Sequence, residues 1–362
     1  MTSVTAVRLV ERVRANVASL LKEFAALTSE SDSDGVGAPA FTQRLSDYVT
    51  RFGSMRRTRV SAHAFDGFRH TDEAAFAALG HACAALELFH AASLVHDDII
   101  DESPTRRNNP AFHTGWDTAD LAEDGFEAAK FGVAAGLLGG DALLVLTARA
   151  IDRIPPPVRG GVADFFHQMQ LRTVIGEFQD SVLQHRRIRA TRAAITEMSV
   201  NKTGWYTVIA PMVLAARCAG AAEETIPRLV AAGSAFGEAF QLLDDLVEVY
   251  GEPAVTGKNP LDDLNAGKAT LLHHIVSAHC TPAERATLAQ VYGRGDGTER
   301  DLRQYRRLVD THTAHVADDL RELMDRAREL LHEAGFHKRT IDRIESELNP
   351  DFRIPVPLDE SA

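Results

Sequence analysis

Apolar residues return every three or four positions along most of this chain, and almost nowhere every second position. In residues 4–27, Val7, Val10, Val17, Leu20, Leu21 and Phe24 fall on one stripe, which predicts an amphipathic helix. Long Ala/Leu-rich runs follow at about 72–101, 117–152, 160–186, 193–219 and 222–250, each predicting a helix. Pro155-Pro156-Pro157 ends one run, and the next helix is expected to start near Val158. Residues 299–332 are charged but periodic, which predicts one outer helix. The polar stretch 28–39 contains glycine and ends in Pro39, so a flexible connection is expected there, and the proline-bearing tail 349–362 is expected to be extended. No run alternates as a strand would. With no composition shift and no repeat, the pattern predicts one all-α domain spanning residues 1–362.

Two acidic clusters interrupt this apolar texture: Asp97-Asp98-Ile99-Ile100-Asp101 and Asp244-Asp245-Leu246-Val247-Glu248. Residues four apart share a helix face, so Asp97 projects with Asp101, and Asp244 with Glu248. A solvated acidic face is the plain alternative for either cluster. The flanks argue otherwise, because Leu86, Leu88, Phe89, Leu94 and Val95 precede the first cluster and leave little reason for a wet surface. Like charges packed on buried helices repel unless a cation lies between them. Mg²⁺, which takes one or two carboxylates plus substrate phosphates, fits that need. Arg106 and Arg107 follow the first cluster and Lys258 and Lys268 the second, cations suited to phosphate oxygens. Together they describe a diphosphate held through metal bridges.

Composition narrows the partners. The chain has 362 residues, 45% of them hydrophobic, and a net charge of −12, with a sequence pI near 5.7. An extended nucleic-acid surface is therefore not expected. Cys83, Cys218 and Cys280 are isolated and lack metal-ligand spacing, so neither a disulfide framework nor a zinc site is suggested. The start of the chain has no basic flank leading into an apolar run, and no 18-residue stretch is wholly apolar. A soluble cytoplasmic protein without an integral membrane segment is expected.

The stretch His90 to His113, HAASLVHDDIIDESPTRRNNPAFH, resembles the first aspartate-rich motif of the trans-isoprenyl diphosphate synthases and its arginine pair. Further landmarks of that family follow in order. They are Gly140-Asp141, Gly176-Glu177-Phe178-Gln179-Asp180, Lys202-Thr203-Gly204, Phe240-Gln241 leading into Asp244-Asp245, and Gly257-Lys258 through Asp262-Asp263 to Gly267-Lys268-Ala269-Thr270. The resemblance covers about residues 40–345. It implies a single-domain bundle of long helices around a central cavity, with Mg²⁺ as the cofactor, three ions per active site. It also implies isopentenyl diphosphate and an allylic diphosphate (dimethylallyl, geranyl or farnesyl) as substrates, and a homodimer.

By the same resemblance Asp97, Asp101, Asp244 and Glu248 would bind metal, with Asp98 and Asp245 assisting. Arg106, Lys202, Lys258 and Lys268 would hold or enclose the allylic diphosphate, and Thr203 and Gln241 would lie near the reacting carbons. Arg56, Arg59, His90 and Arg107 would hold isopentenyl diphosphate. Three departures stand out: Ser54-Met55-Arg56 replaces Gly-Gly-Lys, Asn108 replaces a common glycine, and Glu248 replaces an aspartate. His96 and His113 read as structural. Ala92 and Ser93, five and four residues before Asp97, are small where farnesyl-producing relatives close the product tunnel. Phe89, about 12 Å below Asp97 at 1.5 Å per residue, is the expected floor, implying a C20 product, geranylgeranyl diphosphate. Class I terpene cyclases share one aspartate-rich cluster and remain the alternative, although Asp244-Asp245 and Arg107 depart from their pattern.

Overall fold

The computed structural model describes residues 3–31, 37–68, 72–106, 108–114, 116, 128–186, 190–251 and 261–348. It is all-α apart from one two-residue hairpin, Thr105–Arg106 (β1) against Asn109–Pro110 (β2), in antiparallel register with Arg106 opposite Asn109. By internal contacts the chain forms two compact units, residues 1–164 with 214–221, and residues 165–213 with 222–362.

The first unit holds α1 (Val4–Ser31), α2 (Ala38–Thr50), α3 (Arg56–Gly67), α4 (Glu73–Ile100) and α5 (Ala128–Asp152). On α1 the buried stripe is Ala6, Leu9, Val13, Val17, Leu20 and Leu21, while Val7 is exposed, so the true face is rotated from the one expected. The helix also runs on to Ser31 and α2 begins at Ala38, so both ends of the connection expected at 28–39 are helical, while residues 32–36 lie outside the described residues. Asp72 starts α4 by accepting from the backbone N–H groups of Ala74 and Ala75, as an N-cap should. Helices α4 and α5 are long and apolar enough to cross a membrane by composition, and 72% of the most apolar window of α4 is buried within the protein. That burial marks α4 as a core helix.

Four glycines on α5 let it approach the end of α4 and the loop beyond. A Cβ on Gly132 would lie 1.9 Å from the His113 carbonyl oxygen, on Gly136 2.6 Å from Ile99, on Gly139 2.7 Å from Phe112 and on Gly140 2.0 Å from His96. Phe112 anchors the same loop, edge-on to Phe41, Tyr48 and Trp116 at 5.7–6.2 Å, geometry that favours aromatic pairs. The first acidic cluster is thus fixed from below and from the side.

The chain enters and leaves the second unit within α6 (Pro156–Arg186) and α8 (Ala210–Cys218). Between them lie α7 (Arg192–Ser199) and a π-helix, Val200–Ile209. The expected single helix at 193–219 is therefore wound more widely in its middle, and Lys202-Thr203-Gly204 sits in the widened part. After α9 (Thr225–Tyr250) come α10 (Leu261–Ala266), α11 (Leu271–His279), α12 (Pro282–Val291), α13 (Glu299–Thr311), α14 (Thr313–Glu333) and α15 (Lys338–Leu348). The single outer helix expected at 299–332 breaks at His312, where charged periodicity runs on but the backbone turns. Leu242, Leu246, Leu272, Val276, Val309 and Leu320 form the centre of this unit's core. The tail 349–362 lies outside the described residues.

Candidate active site

In the first unit, Asp97 and Asp98 occupy the last turn of α4 and Asp101 is its C-cap, donating its N–H to the Asp97 carbonyl at 2.8 Å. Asp101 therefore lies beside Asp97 through a closing turn rather than through continued helix. Arg106 folds back over the cluster from β1. Its Nε donates to Asp98 Oδ1 at 2.7 Å, and Nη2 donates to Asp97 Oδ2 at 2.8 Å while also touching Asp98. Asp98 is fully buried, and its Oδ2 has no hydrogen-bond partner among the described residues. Burial pushes its carboxyl up to about 6 against the opposing pull of Arg106. Burial alone would lower the Arg106 guanidinium, but its bonds to Asp98 and Asp97 hold it above the ordinary arginine range. At neutral pH both are charged, a buried pair satisfied on one side only.

Beside this pair a cavity of about 430 Å³ is lined by Arg51, Arg56, Arg57, His90 and Arg106, with Glu87 as the one carboxylate among the residues lining it. Glu87 is buried and accepts from Thr58 Oγ at 2.7 Å. The cavity thus gathers cations without metal ligands, the character a free diphosphate requires. Arg56 and His90, two of the residues expected at the isopentenyl diphosphate site, line this cavity together. Arg59, half-buried on α3, is not among the lining residues, while Arg51 and Arg57 are, and the sequence reading missed both. Their signal was the basic run from Arg51 to Arg59, whose register one motif could not settle. Arg107 lies outside the described residues. The loop entering α3 carries Met55 at φ 53°, and the hairpin turn carries Asn108 at φ 59°. Both positions keep the left-handed conformation that favours glycine, and both are among the departures from glycine noted in the sequence resemblance.

Phe89 and Ala92 are buried on α4, and Ser93, half-buried, donates to the Phe89 carbonyl at 3.0 Å. His96 packs over Gly140, with its Nε2 4.0 Å from Asp141, a structural placement. Burial lowers the His113 imidazole.

In the second unit, Asp244 and Glu248 are half-buried one turn apart on α9. Asp245 is buried and turned to other work: its Oδ1 accepts from Gln241 Nε2 at 3.0 Å and its Oδ2 from the Leu272 N–H at 3.2 Å, fastening the first turn of α11. Gln241 is thereby held by Asp245. Lys202 projects from the π-helix to Asp180 at 2.7 Å and Glu177 at 3.1 Å, two acids of α6. The backbone of the π-helix presses on Gly176, whose Cβ, if present, would meet Lys202 N at 2.1 Å. The glycine and the two acids of Gly176-Glu177-Phe178-Gln179-Asp180 thus share one task, seating Lys202. Thr203 is half-buried in the same segment. Lys268 precedes α11, and its carbonyl accepts from Tyr292 Oη at 2.7 Å. Lys258 lies outside the described residues.

Each unit by itself carries donors of the kind a divalent metal takes. Asp97, Asp101, Asp244 and Glu248 offer half-buried carboxylate oxygens, hard donors of the kind Mg²⁺ takes, and the orphaned Asp98 Oδ2 marks the first cluster as incompletely satisfied.

Residues 39–309 match the polyprenyl synthetase family model. The chain is 34% identical over 211 residues to the geranylgeranyl diphosphate synthase of Mycobacterium tuberculosis, covering 58% of this chain and 55% of that protein. It is 32% identical over 200 residues to the nonaprenyl diphosphate synthase of the same organism, covering 54% and 52%. The matches therefore span little more than half the length of these relatives. Among solved structures, a geranylgeranyl pyrophosphate synthase from Corynebacterium glutamicum, complexed with isoprenyl diphosphate and magnesium, aligns with a TM-score of 0.78 at 24% identity, over 93% of this chain and 97% of that one.

Proposed function

The chain belongs to the polyprenyl synthetase family, and from that premise we propose that it is a Mg²⁺-dependent prenyltransferase joining isopentenyl diphosphate head-to-tail to an allylic diphosphate. The observation that carries this reading is a carboxylate cluster in each unit, one at the end of α4 and one on α9, together with a cation-lined cavity in the first unit that contains no cluster of acids. Three Mg²⁺ ions, held by Asp97, Asp101, Asp244 and Glu248, would neutralise the charge that develops on the leaving diphosphate. Arg106 and Lys202, each already poised on carboxylates, would turn to the allylic diphosphate, with Lys258 and Lys268 beside it. Arg56, Arg57 and His90 would hold isopentenyl diphosphate, with Arg107. Gln241 and Thr203 would flank the reacting carbons, and the departed diphosphate would accept the proton.

We further propose a C20 product. Ala92 and Ser93 are small where the family resemblance puts the product tail, and Phe89 one turn before them would close its path, although relatives include both geranylgeranyl and nonaprenyl synthases. A homodimer is supported by exposed apolar side chains, Leu137, Leu138 and Val145 on α5 and Leu171, Val174 and Phe178 on α6. Two of the three points at which the chain crosses units fall inside helices, α6 and α8, which supports a single domain. Three free cysteines suit a reducing cytoplasm.

Incubating the pure protein with isopentenyl diphosphate and each allylic diphosphate, then sizing the dephosphorylated products, tests the reaction. Open-chain prenols support it. Cyclic hydrocarbons formed without isopentenyl diphosphate would identify a terpene cyclase instead.

A further inference from the structure

Three donor side chains that the proposed reaction does not use meet where four helix ends converge in the second unit. Cys280 is the C-cap of α11, Glu284 lies in the first turn of α12, and His312 forms the junction of α13 and α14. Their ligand atoms, thiol sulfur, carboxylate oxygen and ring nitrogen, all lie within 4.8 Å of one another. Cys280 is 4% exposed and His312 8%. The Nε2 of His312 is buried, faces Glu284 at 3.4 Å and makes no hydrogen bond among the described residues. An unmade hydrogen bond at a buried ring nitrogen costs free energy that a ligand would recover. Glu284 is already aimed, because Thr281 holds it in a capping box, its Oε2 accepting from the Thr281 N–H at 2.8 Å and Oγ at 2.9 Å.

We propose that Cys280, Glu284 and His312 form a site for a borderline-soft divalent cation, Zn²⁺ foremost, with the fourth position open to water. One thiolate, one imidazole and one carboxylate are a donor set that zinc takes in tetrahedral form. Bonds of about 2.0–2.3 Å place neighbouring tetrahedral ligands about 3.3–3.8 Å apart, so side-chain rotations of about an ångström complete the site. The thiolate selects against Mg²⁺, which keeps this site chemically separate from the carboxylate clusters. The site has a structural consequence. Asp245 fastens the start of α11 through the Leu272 N–H, and the metal would fasten its end at Cys280, bracing the helix against which the second acidic motif is set.

Cobalt(II) is the probe. The full-length protein, reduced and stripped with chelator, is titrated with Co²⁺ in excess Mg²⁺, which occupies the carboxylate clusters. The expected result is a near-ultraviolet thiolate-to-cobalt charge-transfer band with intense tetrahedral visible absorption, saturating at one equivalent and bleached by Zn²⁺. Cys280→Ser should abolish the charge-transfer band, and His312→Ala should weaken Co²⁺ binding beyond the roughly 10- to 100-fold that outer-sphere partners contribute. Zn²⁺ should also slow alkylation of Cys280 in the unmodified protein, which needs no variant to fold. No charge-transfer band, a band unchanged in Cys280→Ser, or alkylation of Cys280 indifferent to Zn²⁺ would each overturn the site. Because the readout is spectroscopic, it stands or falls separately from prenyltransfer.

Discussion

Arg106 closes on Asp98 at the end of α4, Nε to Oδ1 at 2.7 Å, so that the first acidic cluster carries its own counter-ion. The same guanidinium reaches Asp97 at 2.8 Å. Under the proposed function, an arriving diphosphate with its cations would offer both partners a substitute: phosphate oxygens for Arg106 and metal for the carboxylates. Asp98 Oδ2 has no partner among the described residues in the paired state, so the exchange would complete what Arg106 leaves half-satisfied.

The buried Asp98 has a pH signature. Its carboxyl rises from 3.8 to about 6 on folding, so the folded state holds its proton more tightly than the unfolded chain. That contribution is fully present below pH 4 and is lost as pH rises through about 6. At about 1.4 kcal/mol per pH unit the difference amounts to about 3 kcal/mol. In metal-free buffer, wild type should therefore lose stability relative to Asp98→Asn between pH 4.5 and pH 7.5, read as the difference in Tm. A difference independent of pH would contradict the assignment.

Gly176→Ala should destabilise the protein by about 1–3 kcal/mol or more, because its Cβ would overlap the Lys202 backbone, which cannot swing aside. Gly204→Ala, whose Cβ would meet Gly237 Cα and Val200 at 3.5 Å, should change stability by less than about 1 kcal/mol. Urea unfolding separates them. The first substitution should also lower turnover by displacing Lys202, and equal behaviour of the two would show that the close approach is not what seats it.

The cavity predicts a division of labour. Arg57→Ala and Arg56→Ala should raise the KM for isopentenyl diphosphate, on the order of tenfold or more for each lost charge-assisted contact. Arg59→Ala should raise it less. Lys202→Ala should act on the allylic substrate instead. If Arg59→Ala proved the most damaging for isopentenyl diphosphate, the register of the basic run would be that of the family motif rather than of the cavity.

Phe89→Ala should lengthen the product and Ala92→Phe should shorten it, seen by chromatography of the dephosphorylated prenols. Ala92 is fully buried, so the larger ring must displace its neighbours, and under the C20 proposal the space it takes is the tail's. Unchanged products from both variants would remove the basis of the C20 proposal.

The long helices were legible because burial writes a 3.6-residue apolar period, and α4 and α9 carried their acidic clusters where that period placed them. Junctions were less legible. The charged stripe on 299–332 runs unbroken through His312, since a surface pattern records which face is wet and not where the backbone turns. The short helix α11 has only nine residues, two or three turns whose period is hard to separate from loop. The π-helix at 200–209 leaves no residue signature of its own. It depends on Gly176, two dozen positions earlier. Positive φ at Met55 and Asn108 was hidden because neither residue is glycine. Cys280, Glu284 and His312 met none of the local ligand spacings, because the turn at His312 brings the histidine back.

The central claim is tested most directly by following labelled isopentenyl diphosphate into longer allylic diphosphates, with wild type and Asp244→Ala side by side in Mg²⁺. The wild type should incorporate label and lose that activity on chelation. Asp244→Ala, folded by circular dichroism, should be slower by at least about 100-fold, as expected when a group that stabilises leaving-group charge is lost. A wild type that incorporates no label from any allylic partner, or a folded Asp244→Ala of near-normal rate, would contradict prenyl transfer at these clusters.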